Sequence, residues 1–198
     1  MAREGKPIEN ATAVFFGLSS ACFVVFAFRS DFLKARRKRR LYAATIAWAL
    51  LMFIFMGEEI SWGQVFFDTV TPVALTEINL QNETNIHNIE FMNTFLGGKY
   101  RYLSIMILVT GLLLPVFALS EFGKRTIQRI AFPVAPLCYA ALFVGAYAYG
   151  RYYHAQMGNE AAEVREFLMS VSMLSFALHG ALSPCSLFRV CVPQEEDH

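Results

Sequence analysis

An uncharged apolar run ends directly before two adjacent glutamates, and this junction constrains the fold more than any other feature. The run Leu41–Met56 carries no charged side chain, and Glu58 and Glu59 follow it closely. In a helix that rises about 1.5 Å per residue from Tyr42, Glu58 lies about 24 Å along the axis, inside a hydrocarbon core about 30 Å thick. A carboxylate at that depth is costly unless it is paired or hydrated, so it usually faces a protein interior or a cavity. The junction therefore predicts a polar site near the far edge of a membrane.

The composition of the chain is typical of a membrane protein. Of the 198 residues, 56% are hydrophobic and only 17% are charged, and soluble domains of this size are rarely so apolar. The net charge of +1 provides no overall field that attracts nucleic acid, so no nucleic-acid partner is expected. The four cysteines have no CxxC spacing, and neither a disulfide framework nor a zinc site is indicated.

Five apolar segments are each close to the length that a membrane-spanning helix needs. They cover residues 11–28, 41–62, 102–119, 130–149 and 167–188. We therefore predict an all-α fold, a polytopic membrane protein whose bundle of about five transmembrane helices forms one domain over residues 1–198. The outer polar segment 57–101, between the second and third helices, is predicted to be an interfacial or re-entrant helical segment.

The basic residues predict the orientation of this bundle. The link Lys34–Arg40 carries six positive residues, and three more lie between the third and fourth helices. The opposite connections, 58–101 and 151–166, hold more acids than bases. The positive-inside rule then predicts an N-terminus outside and a C-terminus in the cytoplasm. The basic run is interpreted as a topology anchor that also contacts anionic lipid, so membrane lipids are expected partners.

The segment after the second helix is unusually rich in amides and acids. If residues 77–96 are helical, four polar side chains fall within about 80° of one another on one face, and these are Asn79, Glu83, His87 and Glu90. Histidine titrates near neutral pH and a carboxylate can orient its ring, so the pair His87 and Glu83 suits acid/base chemistry. The candidate catalytic residues are Glu59, Glu83 and His87.

A metal site and a wider ligand site are further interpretations of the same region. The candidate metal ligands are Glu59, Glu83, His87 and Glu90. Their spacing matches none of the common metal-binding motifs, and the identity of any cofactor stays open. Polar side chains assigned to the same side of the membrane form a candidate ligand-binding set. This set comprises Glu58, Trp62, Gln64, Asn79, Gln81, Asn85, Asn88 and His154.

Two sequence blocks in this region are distinctive. Residues 57–64 read GEEISWGQ, and residues 83–88 fit the pattern ExNxHN. In these blocks the chain resembles a family of uncharacterised bacterial integral membrane proteins, over residues 57–88 only. The resemblance implies a bacterial inner-membrane setting and polar residues that act together, and it implies no particular reaction.

Three functions are compatible with these features. Short helices and tight loops leave little room for a substrate domain, which favours a small polytopic membrane subunit or binding module. Its outer Glu/His/Asn site would engage a partner protein, a lipid or a cofactor, so other membrane-protein subunits are candidate partners. The first alternative is a membrane-embedded enzyme, with or without a metal, that acts on a lipid or lipid-linked substrate at the outer leaflet. The second is a cation- or proton-coupled transporter.

Overall fold

The fold is known from a computed structural model, and every regular element in its described part is a helix. The structure describes residues 7–29, 35–67, 69–78, 84–86, 89, 91, 98–157 and 159–184. Because the regular elements of these residues are all helices, the predicted all-α class is confirmed for the described residues. The long helices are α1 (Pro7–Phe28), α2 (Ala35–Glu59), α8 (Ala140–Met157) and α9 (Asn159–Leu182).

Shorter helices connect α2 to α8. The first two are α3 (Gln64–Phe67) and α4 (Val73–Thr76). The next run consists of α5 (Gly98–Leu108), a π-helical segment (Val109–Leu113) and α6 (Leu114–Phe117). It is followed by α7 (Glu121–Ile130) and, after an extended stretch, by a 3-10 turn at Leu137–Tyr139.

The main hydrophobic core lies where α1 packs against both α2 and α9. One aromatic ring from each helix meets at its centre. The ring centroid of Phe23 is 5.9 Å from that of Trp48 and 5.3 Å from that of Phe176, and Trp48 is 6.2 Å from Phe176. Aromatic pairs at such distances contribute about 0.5–1.5 kcal/mol beyond the burial of their area. These three helices therefore form a unit to which the remaining helices attach.

The run α5–α6 attaches to this unit through α8. A methyl group added at Gly111 would lie 2.0 Å from Cβ of Phe143, so the π-helical segment approaches α8 too closely for any larger residue. The single extra residue per turn in a π-helical segment widens the helix locally and leaves backbone groups for other partners. Gly111 is thus the contact that positions α5–α6 beside the core.

Two helices of the described part of the chain are long and apolar enough to cross a membrane. They are α1 over Pro7–Phe28 and α2 over Arg36–Glu59. A third span results if the bent pair Arg101–Phe117 and Glu121–Ile130 is one crossing. The structure therefore supports a protein with two or three membrane-spanning helices among its described residues, and the predicted count of about five is not supported.

The predicted fourth span over 130–149 is not supported, because these residues do not form one continuous helix. Helix α7 ends at Ile130, and Ala131 adopts a left-handed conformation with φ of 54°. Pro133 and Pro136 follow within six residues and cannot donate the hydrogen bonds of a helix. Only at Ala140 does α8 begin, and its second half carries tyrosines and Arg151 that make it too polar for a span by composition.

The predicted fifth span over 167–188 is displaced along the chain. Helix α9 begins at Asn159, eight residues earlier than expected, and its last residue is Leu182. The earlier start adds Arg165 and Glu166 to the helix, and these charges keep it below the hydropathy of α1 and α2. Both charged side chains are buried, so the helix packs into the core even at its polar beginning.

Candidate functional site: a hydrogen-bonded cap on helix α2

Helix α2 ends in an abrupt left-handed turn. Three successive residues have positive φ angles, which are 47° at Ser61, 55° at Trp62 and 86° at Gly63. Glycine adopts this conformation freely, whereas each of the other two residues costs on the order of 1 kcal/mol or more. The turn reverses the chain directly after the two glutamates, so the surrounding contacts must compensate for its cost.

The carboxylate of Glu58 supplies the strongest of these contacts. The indole Nε1–H of Trp62 donates to its Oε1 over 2.7 Å, and the backbone N–H of Ile86 donates to its Oε2 over 2.7 Å. The side chain is buried, with 7% of its surface exposed. Hydrogen bonds to a charged acceptor contribute about 1.5–3 kcal/mol each. Glu58 therefore ties the end of α2 to a residue 28 positions further along the chain.

The indole of Trp62 lies over the backbone of Gly57. A methyl group added at Gly57 would lie 2.9 Å from the ring, closer than side-chain carbons approach one another. The ring also meets Phe53 at a centroid distance of 6.3 Å. Glycine at position 57 thus allows the indole to fold back along α2 and reach Glu58.

Gln64 forms a second link across the same region. Its Nε2 donates to Oγ1 of Thr71 over 2.8 Å, and its Oε1 accepts the backbone N–H of Thr84 over 2.8 Å. A glutamine amide offers a donor and an acceptor at once, so it can join two segments that both lie after the turn. The Gln64 side chain thereby joins Thr71, which lies just before α4, to Thr84.

Between these two links lies the side chain of Asn85, which is 3% exposed. Its Nδ2 is 3.5 Å from Oγ of Ser61. Residues 84–86 therefore run antiparallel to residues 58–64, because Thr84 pairs with Gln64, Asn85 with Ser61, and Ile86 with Glu58. We call this unit the α2 cap, and its members are Glu58, Ser61, Trp62, Gln64, Thr71 and residues 84–86.

The α2 cap corrects one prediction about secondary structure. Residues 84–86 form a bend and not a helix, so a continuous helix over 77–96 is wrong. The backbone amides of Thr84 and Ile86 are held by side chains from the other segment, which replaces the hydrogen bonds that a helix would supply. The four residues that this helix was predicted to align, Asn79, Glu83, His87 and Glu90, lie outside the described residues.

The structure brings together four of the predicted site residues, Glu58, Trp62, Gln64 and Asn85. Glu59 follows at the last position of α2 and is half-buried. Six others lie outside the described residues, namely Asn79, Gln81, Glu83, His87, Asn88 and Glu90. His154 lies in the second half of α8, and its side chain is likewise outside the described part.

A metal centre is not formed by the described residues. Within them, no three His, Cys, Asp or Glu side chains lie close enough together to hold a metal ion. Of the four predicted ligands, only Glu59 belongs to this part of the chain. The metal hypothesis therefore depends on residues outside it and stays a prediction.

The connection that carries the α2 cap exposes large apolar side chains. Phe67 is 77% exposed and Val70 is 90% exposed, which is unusual for residues beside a buried hydrogen-bonded unit. The described members of this apolar surface are Trp62, Phe66, Phe67, Val70, Val73, Ile78, Ile86 and Phe91. Extended apolar surfaces of this kind mark contacts with another protein or with a membrane.

A second buried polar group lies at the same end of the bundle, and sequence reasoning missed it. Arg165 is 1% exposed, and its Nη2 is 3.4 Å from Oε1 of the buried Glu166. Its aliphatic stem lies against Gly150 of α8, where an added methyl group would be 2.4 Å from Cδ. The only available signal was a base among acids just before an apolar run, which is too common to identify a buried residue.

The depth of this group can be compared with that of the α2 cap. The adjacent residues Phe15 and Phe16 of α1 contact Phe167 of α9 at 5.5 Å and Phe55 of α2 at 5.4 Å, measured between ring centroids. Arg165 precedes Phe167 by less than one turn, and Glu58 follows Phe55 by less than one turn. The two buried polar groups therefore lie at a similar level along α1.

Comparison of the chain with models of protein families, with curated proteins and with solved structures found no match. The resemblance carried by the GEEISWGQ and ExNxHN blocks thus stays a prediction.

Proposed function

We propose that the protein is a small polytopic membrane subunit or binding module, and that the exposed surface around the α2 cap engages a partner protein at the membrane. The observation that supports this most is the structural role of the polar residues at the end of α2 and directly after it. Glu58 and Gln64 hold the connection in place with their side chains, while the same connection exposes Phe67 and Val70.

A rigid interior and an apolar exterior are what recognition requires. Interfaces are enriched in aromatic residues, and a preorganised loop loses less conformational entropy on binding than a flexible one. The left-handed turn at Ser61–Gly63 and the bonds to residues 84–86 preorganise this connection. The partner would contact Trp62, Phe66 and Phe67 directly.

The two alternatives, a membrane-embedded enzyme and a cation- or proton-coupled transporter, receive less support from this geometry. A general base or a proton carrier needs a carboxylate that can exchange its proton with a substrate or with water. Both oxygens of Glu58 accept hydrogen bonds from groups of the protein. An enzyme or a cation-coupled transporter would therefore have to use Glu59, with His87 as the second group.

The proposed setting is a bacterial inner membrane, with the N-terminus outside and the C-terminus in the cytoplasm. The bacterial assignment rests on the GEEISWGQ and ExNxHN blocks, and the orientation rests on the basic residues that begin α2. This orientation puts the α2 cap on the outer side. Accessibility of single cysteines to a membrane-impermeant reagent on intact cells would test it.

Photocrosslinking in native membranes tests the proposed function. With p-benzoylphenylalanine in place of Phe67, we expect a discrete covalent adduct with one protein. The matched control has the same probe in place of Ile105, an exposed residue of α5 outside this surface. Protein adducts at position 67 and lipid adducts alone at position 105 would support the proposal. Lipid adducts alone at both positions would overturn it.

A second variant keeps the test independent of the probe. Glu58→Gln alters the α2 cap but leaves Phe67 itself unchanged, and we expect the protein adduct at position 67 to fall severalfold. An adduct of unchanged yield would mean that the α2 cap does not shape the binding surface.

A further inference from the structure

Helix α7 lies at the opposite end of the bundle from the α2 cap and turns sharply away from α5–α6. The axes of Arg101–Phe117 and Glu121–Ile130 differ in direction by 115°. Ser120 begins α7, and its Oγ accepts the backbone N–H of Gly123 over 3.0 Å. A methyl group at Gly123 would lie 1.9 Å from the carbonyl oxygen of Phe117, so the bend requires glycine there.

One face of α7 packs on the bundle and the other is exposed. Ile127 and the following Ala131 are buried. The exposed side carries Phe122, which is 75% exposed, together with Arg125 and Arg129. A short amphipathic helix with an exposed aromatic side chain and exposed arginines is typical of segments that lie in the plane of a membrane surface.

The apolar surface of α5–α6 continues around the bend onto α7. The rings of Phe117 and Phe122 are in contact, with centroids 6.1 Å apart. Exposed apolar side chains lead along the run towards this pair, and they are Ile105, Val109, Leu113 and Val116. Beyond Phe122 the exposed side chains include the basic residues Arg125 and Arg129. Such a change from apolar to cationic marks the level at which acyl chains give way to headgroups.

The beginning of α2 adds further cations at the same level. Its first turns carry four exposed arginines, which are Arg36, Arg37, Arg39 and Arg40. Nη1 of Arg40 donates to the backbone oxygen of Arg129 over 2.7 Å, at the carboxyl end of α7 where carbonyl groups lack helical partners. This bond joins the two sets of cations into one basic surface.

The two described stretches that form this surface contain few acidic residues. Among residues 35–45 and 118–136, all of which are described, the only acid is Glu121, which lies 3.8 Å from Lys124 in an exposed pair. Exposed pairs of this kind contribute little. These two described stretches therefore carry a strong excess of positive charge next to an apolar band.

We propose that α7 and the first turns of α2 form a binding surface for the headgroups of anionic phospholipids. The apolar band of α5–α6 ends directly at the cations, so a leaflet that covers the band brings its headgroups to Arg125 and Arg129. Phe122 inserts between the headgroups, and the arginines extend around it to the phosphates. This surface is separate from the α2 cap, and the inference does not depend on the proposed function.

Retention of lipid by the purified full-length protein tests the inference. The protein is equilibrated in detergent with equal amounts of phosphatidylglycerol and phosphatidylcholine, and native mass spectrometry counts the lipids that remain bound. We expect the wild-type protein to retain phosphatidylglycerol preferentially. The variant Arg125→Gln/Arg129→Gln should lose this preference by about fivefold for each arginine removed, as expected for cations at an anionic surface.

The matched control removes two exposed arginines from the other end of the bundle. Arg101→Gln/Arg151→Gln has the same net charge as the test variant, so it should retain phosphatidylglycerol like the wild type. The variant Arg125→Lys/Arg129→Lys keeps the charge and should restore most of the preference. Circular dichroism, which should be the same for all variants, distinguishes loss of lipid binding from loss of folding.

Three results would overturn the inference. The first is equal retention of the two lipids by the wild type. The second is an equal loss of phosphatidylglycerol in the test and control variants. The third is binding of RNA or of a soluble acidic protein by the wild type without any preference for phosphatidylglycerol, which would assign the basic surface to a different partner.

Discussion

The two ends of the bundle use polar residues in opposite ways. At the α2 cap the charged side chain of Glu58 is buried, bonded within the chain, and surrounded by exposed apolar residues. At α7 the apolar residues Ile127 and Ala131 are buried, and the arginines face outward. Buried polar groups fix the shape of a site, whereas exposed ones supply its contacts. The same residue type should therefore respond very differently to substitution at the two ends.

The largest difference is expected for arginine. Arg165→Ala removes a guanidinium that is almost fully buried and leaves the carboxylate of Glu166 inside the core. Breaking a buried ion pair in this way costs about 3–5 kcal/mol. The matched substitution Arg125→Ala, on the exposed side of α7, should change the free energy of unfolding by no more than about 0.5 kcal/mol. Unfolding by sodium dodecyl sulfate measures both, and equal effects would contradict the contrast.

A smaller difference is expected for glutamate. Glu58→Gln keeps the shape of the side chain but sets an amide donor against the N–H of Trp62 or of Ile86. The loss should be about 1.5–3 kcal/mol, since a hydrogen bond to a charged acceptor is lost and two donor groups then face each other. Glu121→Gln, in the exposed pair with Lys124, should cost less than about 0.5 kcal/mol.

The same unfolding titration checks the two glutamate variants. Fluorescence of Trp62 offers a second measurement, since release of its Nε1–H from Glu58 changes the polarity around the indole. If Glu58→Gln were as mild as Glu121→Gln, the α2 cap would not be held by its carboxylate.

The smallest destabilisation is expected for glycine. Gly57→Ala puts a methyl group 2.9 Å from the indole of Trp62, which must then move, at a cost of about 1–2 kcal/mol. At Gly145 of α8 an added methyl group meets no described atom within 4 Å. Gly145→Ala should therefore stabilise the helix by about 0.5–1 kcal/mol, through the better helix propensity of alanine. Opposite signs in the two unfolding titrations would sharpen the contrast, and equal signs would refute it.

Features that depend on local hydropathy were predictable from the sequence. Helices α1 and α2 follow from long runs without charge, and their ends are close to those expected. The second span was predicted to continue past Glu58 and Glu59 to residue 62, whereas α2 ends at Glu59. Hydropathy reports on a window of neighbouring residues, so it succeeds where the environment of a helix is set by the membrane alone.

Features that the average hydropathy of a segment does not report were not predictable from it. The segment 130–149 is apolar on average, but Pro133, Pro136 and the left-handed Ala131 divide it. Arg165 is tolerated in the core only because Gly150 makes room for its stem. Neither property is visible in a count of apolar residues along the chain.

For the candidate site, several residues were predictable from the sequence but their arrangement was not. The importance of Glu58, Trp62, Gln64 and Asn85 was inferred from their residue types and from their place after a span. Their arrangement was not, because a helical pattern at 77–96 was assumed where residues 84–86 pair with residues 58–64. Backbone amides that bond to distant side chains leave no signature in local periodicity.

Hydrogen exchange of two backbone amides, resolved by nuclear magnetic resonance in nanodiscs, tests the central claim that the α2 cap is one hydrogen-bonded unit with separate anchors. Glu58→Ala should speed exchange at Ile86 by about tenfold to a hundredfold, as expected for a lost bond to a charged acceptor, and should affect Thr84 less. Gln64→Ala should show the reverse order. If exchange at both amides were already fast in the wild type, or changed equally in the two variants, Glu58 and Gln64 would not hold residues 84–86, and the account would be contradicted.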